Sequence, residues 1–211
     1  MSTPVLDVRD LHYVYPGGYR ALSGVDLHVH VGERVALLGP NGAGRTTLVL
    51  HLNGILQPSS GSVAVSGLPV EKTNLAEVRR RVGIVFQDPD DQLFMPCVRD
   101  DVAFGPANLG LRGAELEARV HRALTQVGMN DLADRPPHHL SYGQRRRVAV
   151  ATVLAMEPEI LVLDEPSSNL DPASGRIAAD GTTVDVLTDT ATMAAHRLEF
   201  PFGFDPNTIR P

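Results

Sequence analysis

This 211-residue chain has little cysteine, no tryptophan and no long apolar run. Its one cysteine, Cys97, cannot form a disulfide within a single copy, which indicates a reducing compartment. The longest apolar stretch, residues 148–156, is far shorter than the roughly 20 residues that span a bilayer. The first ten residues lack the basic and apolar regions of a signal peptide. We therefore expect any attachment to a membrane to depend on a partner protein.

Positive charge is also in short supply. The chain has 19 Lys and Arg against 25 Asp and Glu, a net charge of -6. Nucleic-acid binders usually carry a basic face, so we expect no nucleic acid among the partners. A local phosphate site remains compatible with this charge. With 43% hydrophobic residues the chain can bury a packed core.

Short apolar runs alternate with helical segments and predict an α/β fold. Each run is followed by a loop rich in Gly, Pro, Asp or Asn. The runs predict the buried strands of a parallel sheet at residues 35–38, 82–86 and 160–163. Apolar and polar residues alternate in three further segments, which predict half-exposed antiparallel strands at residues 5–8, 25–31 and 62–66.

The middle of the chain predicts a helical insert. Leu116, Val120, Leu124 and Val127 recur at helical spacing, and Gly128 is a plausible helix stop. Ser141 is a good N-cap for a second helix that carries the apolar stretch 148–156.

A glycine-rich loop follows the first apolar run and leads into an apolar helix. Its sequence is Gly39-Pro-Asn-Gly42-Ala-Gly44-Arg45-Thr46-Thr47. In this strand–loop–helix setting, glycines let backbone N–H groups cradle phosphates, and the helix N-terminus favours negative charge. The alternative is a glycine-rich turn without a ligand. We expect a nucleotide-phosphate site, with the hydroxyl of Thr46 on Mg²⁺ and a ligand-binding set of Gly39, Asn41, Gly42, Gly44, Arg45, Thr46 and Thr47.

Arg45 stands where this loop pattern calls for lysine. Lysine is a compact point charge, whereas arginine is a planar fork, so the charge is kept while the geometry at the phosphates changes. We hypothesise weakened ATP binding and much slower turnover.

Two acids follow the last apolar run. Ile160–Leu163 leads into Asp164-Glu165-Pro166, the Walker B layout, in which the aspartate holds Mg²⁺ and the glutamate polarises the attacking water. The alternative is a pair of acids that merely caps a strand.

The segment Leu140-Ser141-Tyr142-Gly143-Gln144 precedes this acid pair and, in this order and spacing, resembles the signature of ABC transporter ATPases. Tyr142 replaces a glycine of the usual motif. The resemblance implies that Ser141 and Gly143, with Gln144 beside them, bind the γ-phosphate of an ATP molecule held by the opposite subunit. A helix start of this kind favours anions. We expect Arg145 and its two arginine neighbours to form a solvated helix face rather than a binding site.

The same resemblance implies roles for residues outside these motifs. Gln87 matches the glutamine that senses Mg²⁺ and the membrane subunit. Tyr15 matches the aromatic residue that stacks on adenine, with Tyr13 as the rival candidate. Residues 168–171 resemble the D-loop, which crosses the dimer interface.

Residues 86–94 (FQDPDDQLF) and 101–110 (DVAFGPANLG) resemble the energy-coupling-factor subgroup, in particular its cobalt-type members. This implies an ABC ATPase fold: a P-loop NTPase core with a parallel sheet, an antiparallel β subdomain and an inserted helical subdomain. We divide the chain into the nucleotide-binding core (1–87), the helical subdomain with the signature (88–155), and the rest of the core with the C-terminal tail (156–211).

The subgroup also implies ligands, partners and location. ATP and Mg²⁺ would bind this subunit, which would power uptake of cobalt, nickel or a vitamin. Its partners would be a transmembrane coupling protein, a substrate-capture protein and a second ATPase subunit, identical or paralogous. The subunit would lie peripherally on the cytoplasmic face of the cell membrane.

The resemblance breaks after about residue 172, and we expect an internal deletion near Ser174. His196 is the only histidine after the D-loop, but residues 190–195 before it look helical, whereas a switch histidine follows a buried strand. In this group the missing strand lies between the P-loop strand and the Walker B strand, and its loss would leave backbone groups unpaired. The alternatives to an active ATPase are a non-catalytic nucleotide-binding partner and a decayed remnant. A soluble ABC ATPase of DNA repair or translation is a further option, against which residues 88–94 and 104–110 argue.

Overall fold

The structure is a computed structural model that describes residues 3–165. Four strands form an antiparallel sheet in the order β2-β1-β3-β4. They are β1 (Leu6–Val14), β2 (Arg20–Val29), β3 (Ser60–Val65) and β4 (Leu68–Pro69). This sheet contains the three antiparallel strands expected from alternation, with β1 and β2 extending beyond the predicted bounds. The D-loop segment 168–171, Ser174 and His196 lie outside the described residues.

A second sheet pairs β5 (Val82–Val85) with β6 (Ile160–Leu163) in parallel. Two of the three predicted parallel strands are therefore confirmed. Ile160 and Val162 are half-buried, whereas Leu161 and Leu163 are each 43% exposed, so one face of β6 is only partly covered.

The predicted buried strand at residues 35–38 is wrong for the described structure. These residues have no strand partner between residues 3 and 165, and Val35 is 51% exposed and Leu38 45% exposed. Apolar composition makes burial favourable, but a strand also needs neighbours that accept its backbone hydrogen bonds. The described residues supply none beside this segment.

Five α-helices belong to the described fold: α1 (Arg45–Leu52), α2 (Leu75–Arg81), α3 (Val98–Asn108), α4 (Gly113–Gln126) and α5 (Tyr142–Leu154). Three short 3₁₀ helices complete it, at Pro89–Asp91, Asn130–Leu132 and Pro137–His139. Helix α4 buries Val120 and Leu124, as its apolar spacing predicts, and ends two residues before Gly128, whose φ is 65°. Helix α5 begins after Ser141, which forms a capping box with Gln144. Within residues 3–165, every helix is too short or too polar to cross a membrane.

The buried apolar residues form two clusters. One includes Val8, Val65 and Val78 and lies between the antiparallel sheet and helices α1 and α2. The other unites helices α3, α4 and α5. Strand β5 contributes Ile84 to the first cluster and Val85 to the second, so it lies between them. The structure thus has the expected α/β class, with a helical part that packs separately from the antiparallel sheet.

Candidate functional site

The glycine-rich loop lies against strand β2 and opens helix α1. Gly44 has a φ of 87°, and a Cβ atom there would come within 2.6 Å of the carbonyl oxygen of Ala21. Both constraints require glycine at this position. No side chain caps the start of α1. The first backbone N–H groups of a helix have no hydrogen-bond partner within the helix itself. A helix start without a side-chain cap, beside an open loop, has the chemistry to accept an anion.

A cavity of about 490 Å³ opens in front of this loop. It gathers residues from the β1–β2 turn, the loop, the end of β5 and the end of β6. Nine of the predicted site residues line it: Tyr15, Asn41, Gly42, Gly44, Arg45, Thr46, Thr47, Gln87 and Glu165. Gly39, the first residue of the loop, does not line the cavity, and its carbonyl oxygen accepts a hydrogen bond from Arg45. The fold therefore brings together residues from four separate parts of the sequence.

Two oxygen ligands stand beside the cavity at the start of α1 and the end of β6. The hydroxyl of Thr46 lies 3.5 Å from Oδ1 of Asp164, and Asp164 is 7% exposed. Hydroxyl and carboxylate oxygens are the hard ligands that Mg²⁺ prefers, and Mg²⁺ usually completes its shell with water and phosphate oxygens. Both residues thus fit a nucleotide-bound magnesium ion, and Gln87 lines the same cavity.

Arg45 crosses the cavity. One guanidinium nitrogen donates to the carbonyl oxygens of Gly39 and Pro40 in its own loop. The other donates to Oε1 of Glu165 at 3.0 Å, forming an ion pair. Lysine carries its three donors on a single nitrogen and lacks the planar fork that lets Arg45 make these contacts from two separate nitrogens. The substitution at this position therefore links the phosphate loop to the strand-end acid.

Glu165 is held in an unusual backbone conformation. Its φ is 45°, in the left-handed region that non-glycine residues rarely adopt. Arg146 of α5 donates a hydrogen bond to its carbonyl oxygen, and Arg146 is only 7% exposed. The interpretation of this arginine as part of a solvated helix face is therefore wrong. A run of three arginines carries no signal that tells the buried one from its neighbours.

The signature residues do not line this cavity. The backbone N–H of Ser141 donates to Oε1 of Gln144, and the N–H of Gln144 donates to the hydroxyl of Ser141. Gly143 follows Tyr142 in the first turn of α5. A nucleotide held in this cavity would therefore not lie against Ser141, Gly143 and Gln144 of the same chain.

Contacts between α5 and the end of β5 fix the position of Gln87. The hydroxyl of Tyr142 donates to the carbonyl oxygen of Gln87 at 3.3 Å. Gln92 accepts from the N–H of Phe86 and donates to the carbonyl oxygen of Ala149 at 2.7 Å. The sequence analysis gave no separate role to Gln92, although it lies within the segment used to identify the subgroup.

The structure distinguishes the candidate aromatic residues. Tyr15 lines the cavity and shares a hydrogen bond of 3.0 Å with the hydroxyl of Thr47. Tyr13 packs edge-on against the buried His51, with ring centroids 4.7 Å apart. Tyr19 and Ala21 also line the cavity, and neither was singled out from the sequence.

The chain is similar to known proteins. The family model described as ABC transporter matches residues 22–168. A Streptomyces coelicolor protein, named provisionally as an ABC transporter ATP-binding protein, is 63% identical, and the match covers 97% of this chain and 93% of the relative. That match is 242 residues long, so more than thirty of its positions fall opposite gaps in the 211-residue chain.

A second relative matches over a shorter length. The energy-coupling factor transporter ATP-binding protein EcfA of Methanocaldococcus jannaschii is 55% identical over 170 residues, which cover 80% of this chain and 61% of the relative. Among solved structures, cbiO1 of Clostridium perfringens, described as part of the ABC transporter complex cbiONQ, has a TM-score of 0.73 and 40% identity. The match covers 93% of this chain and 76% of cbiO1.

Proposed function

The chain belongs to the ABC transporter family as an ATP-binding subunit, and from that premise we propose that it serves an importer of the energy-coupling-factor type. Three observations support the subgroup: residues 86–94, residues 101–110, and the likeness to EcfA and cbiO1. The cargo would be a cobalt or nickel ion or a vitamin. The subunit would attach through partner proteins to the cytoplasmic face of the membrane.

One observation carries the proposed nucleotide site. The glycine loop and Glu165, 120 residues from Arg45 in sequence, line the same cavity, and the hydroxyl of Thr46 lies 3.5 Å from Oδ1 of Asp164. The N–H groups of residues 42–47 would hold the phosphates of ATP. Thr46 and Asp164 would hold a magnesium ion, which neutralises phosphate charge when bound. Gln87 and Glu165 would orient the attacking water.

The signature supports a dimer. Ser141, Gly143 and Gln144 form the capped start of α5 outside the cavity. The start of a helix favours a phosphate group. These residues would therefore bind the γ-phosphate of a nucleotide held by a second subunit, identical or paralogous. A transmembrane coupling protein and a substrate-capture protein would complete the transporter.

The contacts of Arg45 favour a second candidate function, a subunit that holds nucleotide with little turnover. Its guanidinium binds the loop carbonyls and pairs with Glu165, the carboxylate proposed to orient water. ATP must displace these contacts before its phosphates can occupy the loop. A paralogue with an intact site would then supply most of the hydrolysis.

The length of the matches supports an internal deletion. The Streptomyces match needs more than thirty positions that this chain lacks, while the EcfA match spans 170 residues and covers 80% of this chain. The family model ends at residue 168. We place the deletion near Ser174 and infer that it removed a strand and the switch histidine. The unpaired segment 35–38 fits the loss of a neighbouring strand.

Turnover of ATP by Arg45→Lys tests the role of Arg45. Lysine would remove the guanidinium contacts of Arg45 with Glu165 and the loop carbonyls, so we expect kcat to rise at least about tenfold. Arg99→Lys is the matched control, because Arg99 pairs with Asp134 on the surface away from the cavity. An equal rate in Arg45→Lys and the unmodified chain would refute the proposed block. Assays with and without a paralogous ATPase separate an active subunit from a nucleotide-holding one.

A further inference from the structure

The turn between β1 and β2 places two tyrosine rings at the edge of the cavity. The backbone N–H of Tyr15 donates to the carbonyl oxygen of Tyr19 at 2.9 Å. The N–H groups of Gly17 and Gly18 both donate to the carbonyl oxygen of Tyr15, and Gly18 has a φ of 84°. These bonds close a tight turn, so the backbone fixes the distance between the two attachment points. Both side chains line the cavity.

The two rings are stacked at a moderate angle. Their centroids are 6.4 Å apart and their planes differ by 28°. A flat ring between them needs about 7 Å, because carbon atoms in contact lie about 3.5 Å apart on each side. A shift of less than 1 Å would therefore open a slot for a planar base. The present centroid distance is therefore close to the distance between two rings that hold a base between them.

One wall of this slot is fixed and the other is free to adjust. Tyr15 is held by its hydrogen bond to Thr47 and by an edge-on contact with Tyr13 at 4.9 Å. Tyr19 is 60% exposed, and among residues 3–165 its hydroxyl donates only to the carbonyl oxygen of Gly42, at 3.5 Å. A small rotation of Tyr19 breaks one long hydrogen bond and leaves the core unchanged.

We propose that Tyr19 forms the second wall of a nucleobase subsite, so that a purine base is stacked between Tyr15 and Tyr19. The inference rests on the proposed nucleotide site and adds a base-binding residue to it. Gly42, which Tyr19 touches, belongs to the phosphate loop, so the slot lies within reach of phosphates bound there. Stacking recognises the flat face of a base, which makes the subsite tolerant of adenine and guanine. Purines present more surface than pyrimidines, so they bind more tightly.

Calorimetric titrations with Mg-ATP and with magnesium tripolyphosphate test this subsite. Loss of one stacking wall in Tyr19→Ala weakens ATP binding about tenfold, since base–aromatic stacking contributes roughly 1–3 kcal/mol. Tyr19→Phe keeps the ring and retains most of the affinity. Tripolyphosphate has no base, so its affinity is the same in both variants and in the unmodified chain.

The outcomes separate the subsite from the proposed function. Equal ATP affinity in Tyr19→Ala and the unmodified chain overturns the two-wall slot while the phosphate site stands. Failure of the unmodified chain to bind either ATP or tripolyphosphate overturns both. Because the chain has no tryptophan, Tyr19→Trp supplies a direct probe. Its emission is quenched by ATP and not by tripolyphosphate; an emission unchanged by bound ATP contradicts the stacking.

Discussion

The ion pair between Arg45 and Glu165 determines what an incoming phosphate encounters. The two side chains are 24% and 32% exposed, so water screens the pair only in part. In this arrangement the positive charge of Arg45 is already matched by a carboxylate. Under the proposed function, a triphosphate would have to displace Glu165 from the guanidinium before this carboxylate could orient water. The identity of residue 45 would then set the balance between holding and hydrolysing a nucleotide.

His51 links the stability of α1 to pH. It is fully buried, its Nδ1 lies 2.7 Å from the carbonyl oxygen of Thr47, and burial lowers its pKa. Below about pH 6.5 the unfolded chain takes up a proton that the folded chain excludes, so stability falls as the pH decreases. Urea unfolding between pH 7.5 and 5.5 should show a smaller loss for His51→Phe than for the unmodified chain. Exposed His138→Gln is the control, and equal losses in all three proteins would contradict this account.

Local sequence patterns correctly predicted two kinds of element. One kind is stabilised by residues nearby in sequence, and the other is a strongly apolar strand with a partner in the described sheet. Ser141 and Gln144 identify the start of α5, because an N-cap depends only on neighbouring residues. The apolar runs at β5 and β6 were also predicted correctly as strands, because the two strands pair with each other. Residues 35–38 did not, because apolar composition does not report whether a neighbouring strand exists. Tyr19 and Arg146 were missed for a similar reason: their roles depend on what a distant segment places beside them.

Hydrogen exchange tests the strand assignments. Amides of Val82–Val85 and Ile160–Leu163 share a parallel ladder, so we expect slow exchange where their N–H groups are bonded. Residues 35–38 have no ladder partner within residues 3–165 and should exchange orders of magnitude faster. The bonded amides of β1 provide an internal control. Full protection across residues 35–38 would contradict the unpaired segment.

At the scale of the whole molecule, two apolar clusters meet along β5, and the cavity lies at the end of that strand. The first cluster carries the phosphate loop on α1, and the second carries the signature at the start of α5. Gln87, Gln92 and Tyr142 connect them. A deletion that leaves one side of β6 and residues 35–38 uncovered would therefore destabilise the strands that position the site. This holds even if every residue that lines the site is unchanged.

Insertion of the positions that the Streptomyces relative has and this chain lacks tests the proposed deletion. The Streptomyces relative supplies more than thirty positions without a counterpart here. Inserted after Ser174, they should cover the exposed Val35 and Leu38, raise the Tm by several degrees and slow exchange at residues 35–38. A glycine–serine insert of equal length is the control and should leave the Tm unchanged or lower. Equal melting behaviour of the two chimeras would contradict the deletion.

The central claim is that the glycine loop and the acids after β6 serve one magnesium-bound nucleotide. The most direct measurement is the affinity for ATP with and without Mg²⁺, in the unmodified chain and in Asp164→Asn. Because Asp164 lies beside Thr46, Mg²⁺ should strengthen ATP binding in the unmodified chain by about tenfold, and this gain should be lost in the variant. The same gain from Mg²⁺ in both proteins would show that the acid and the loop serve separate sites.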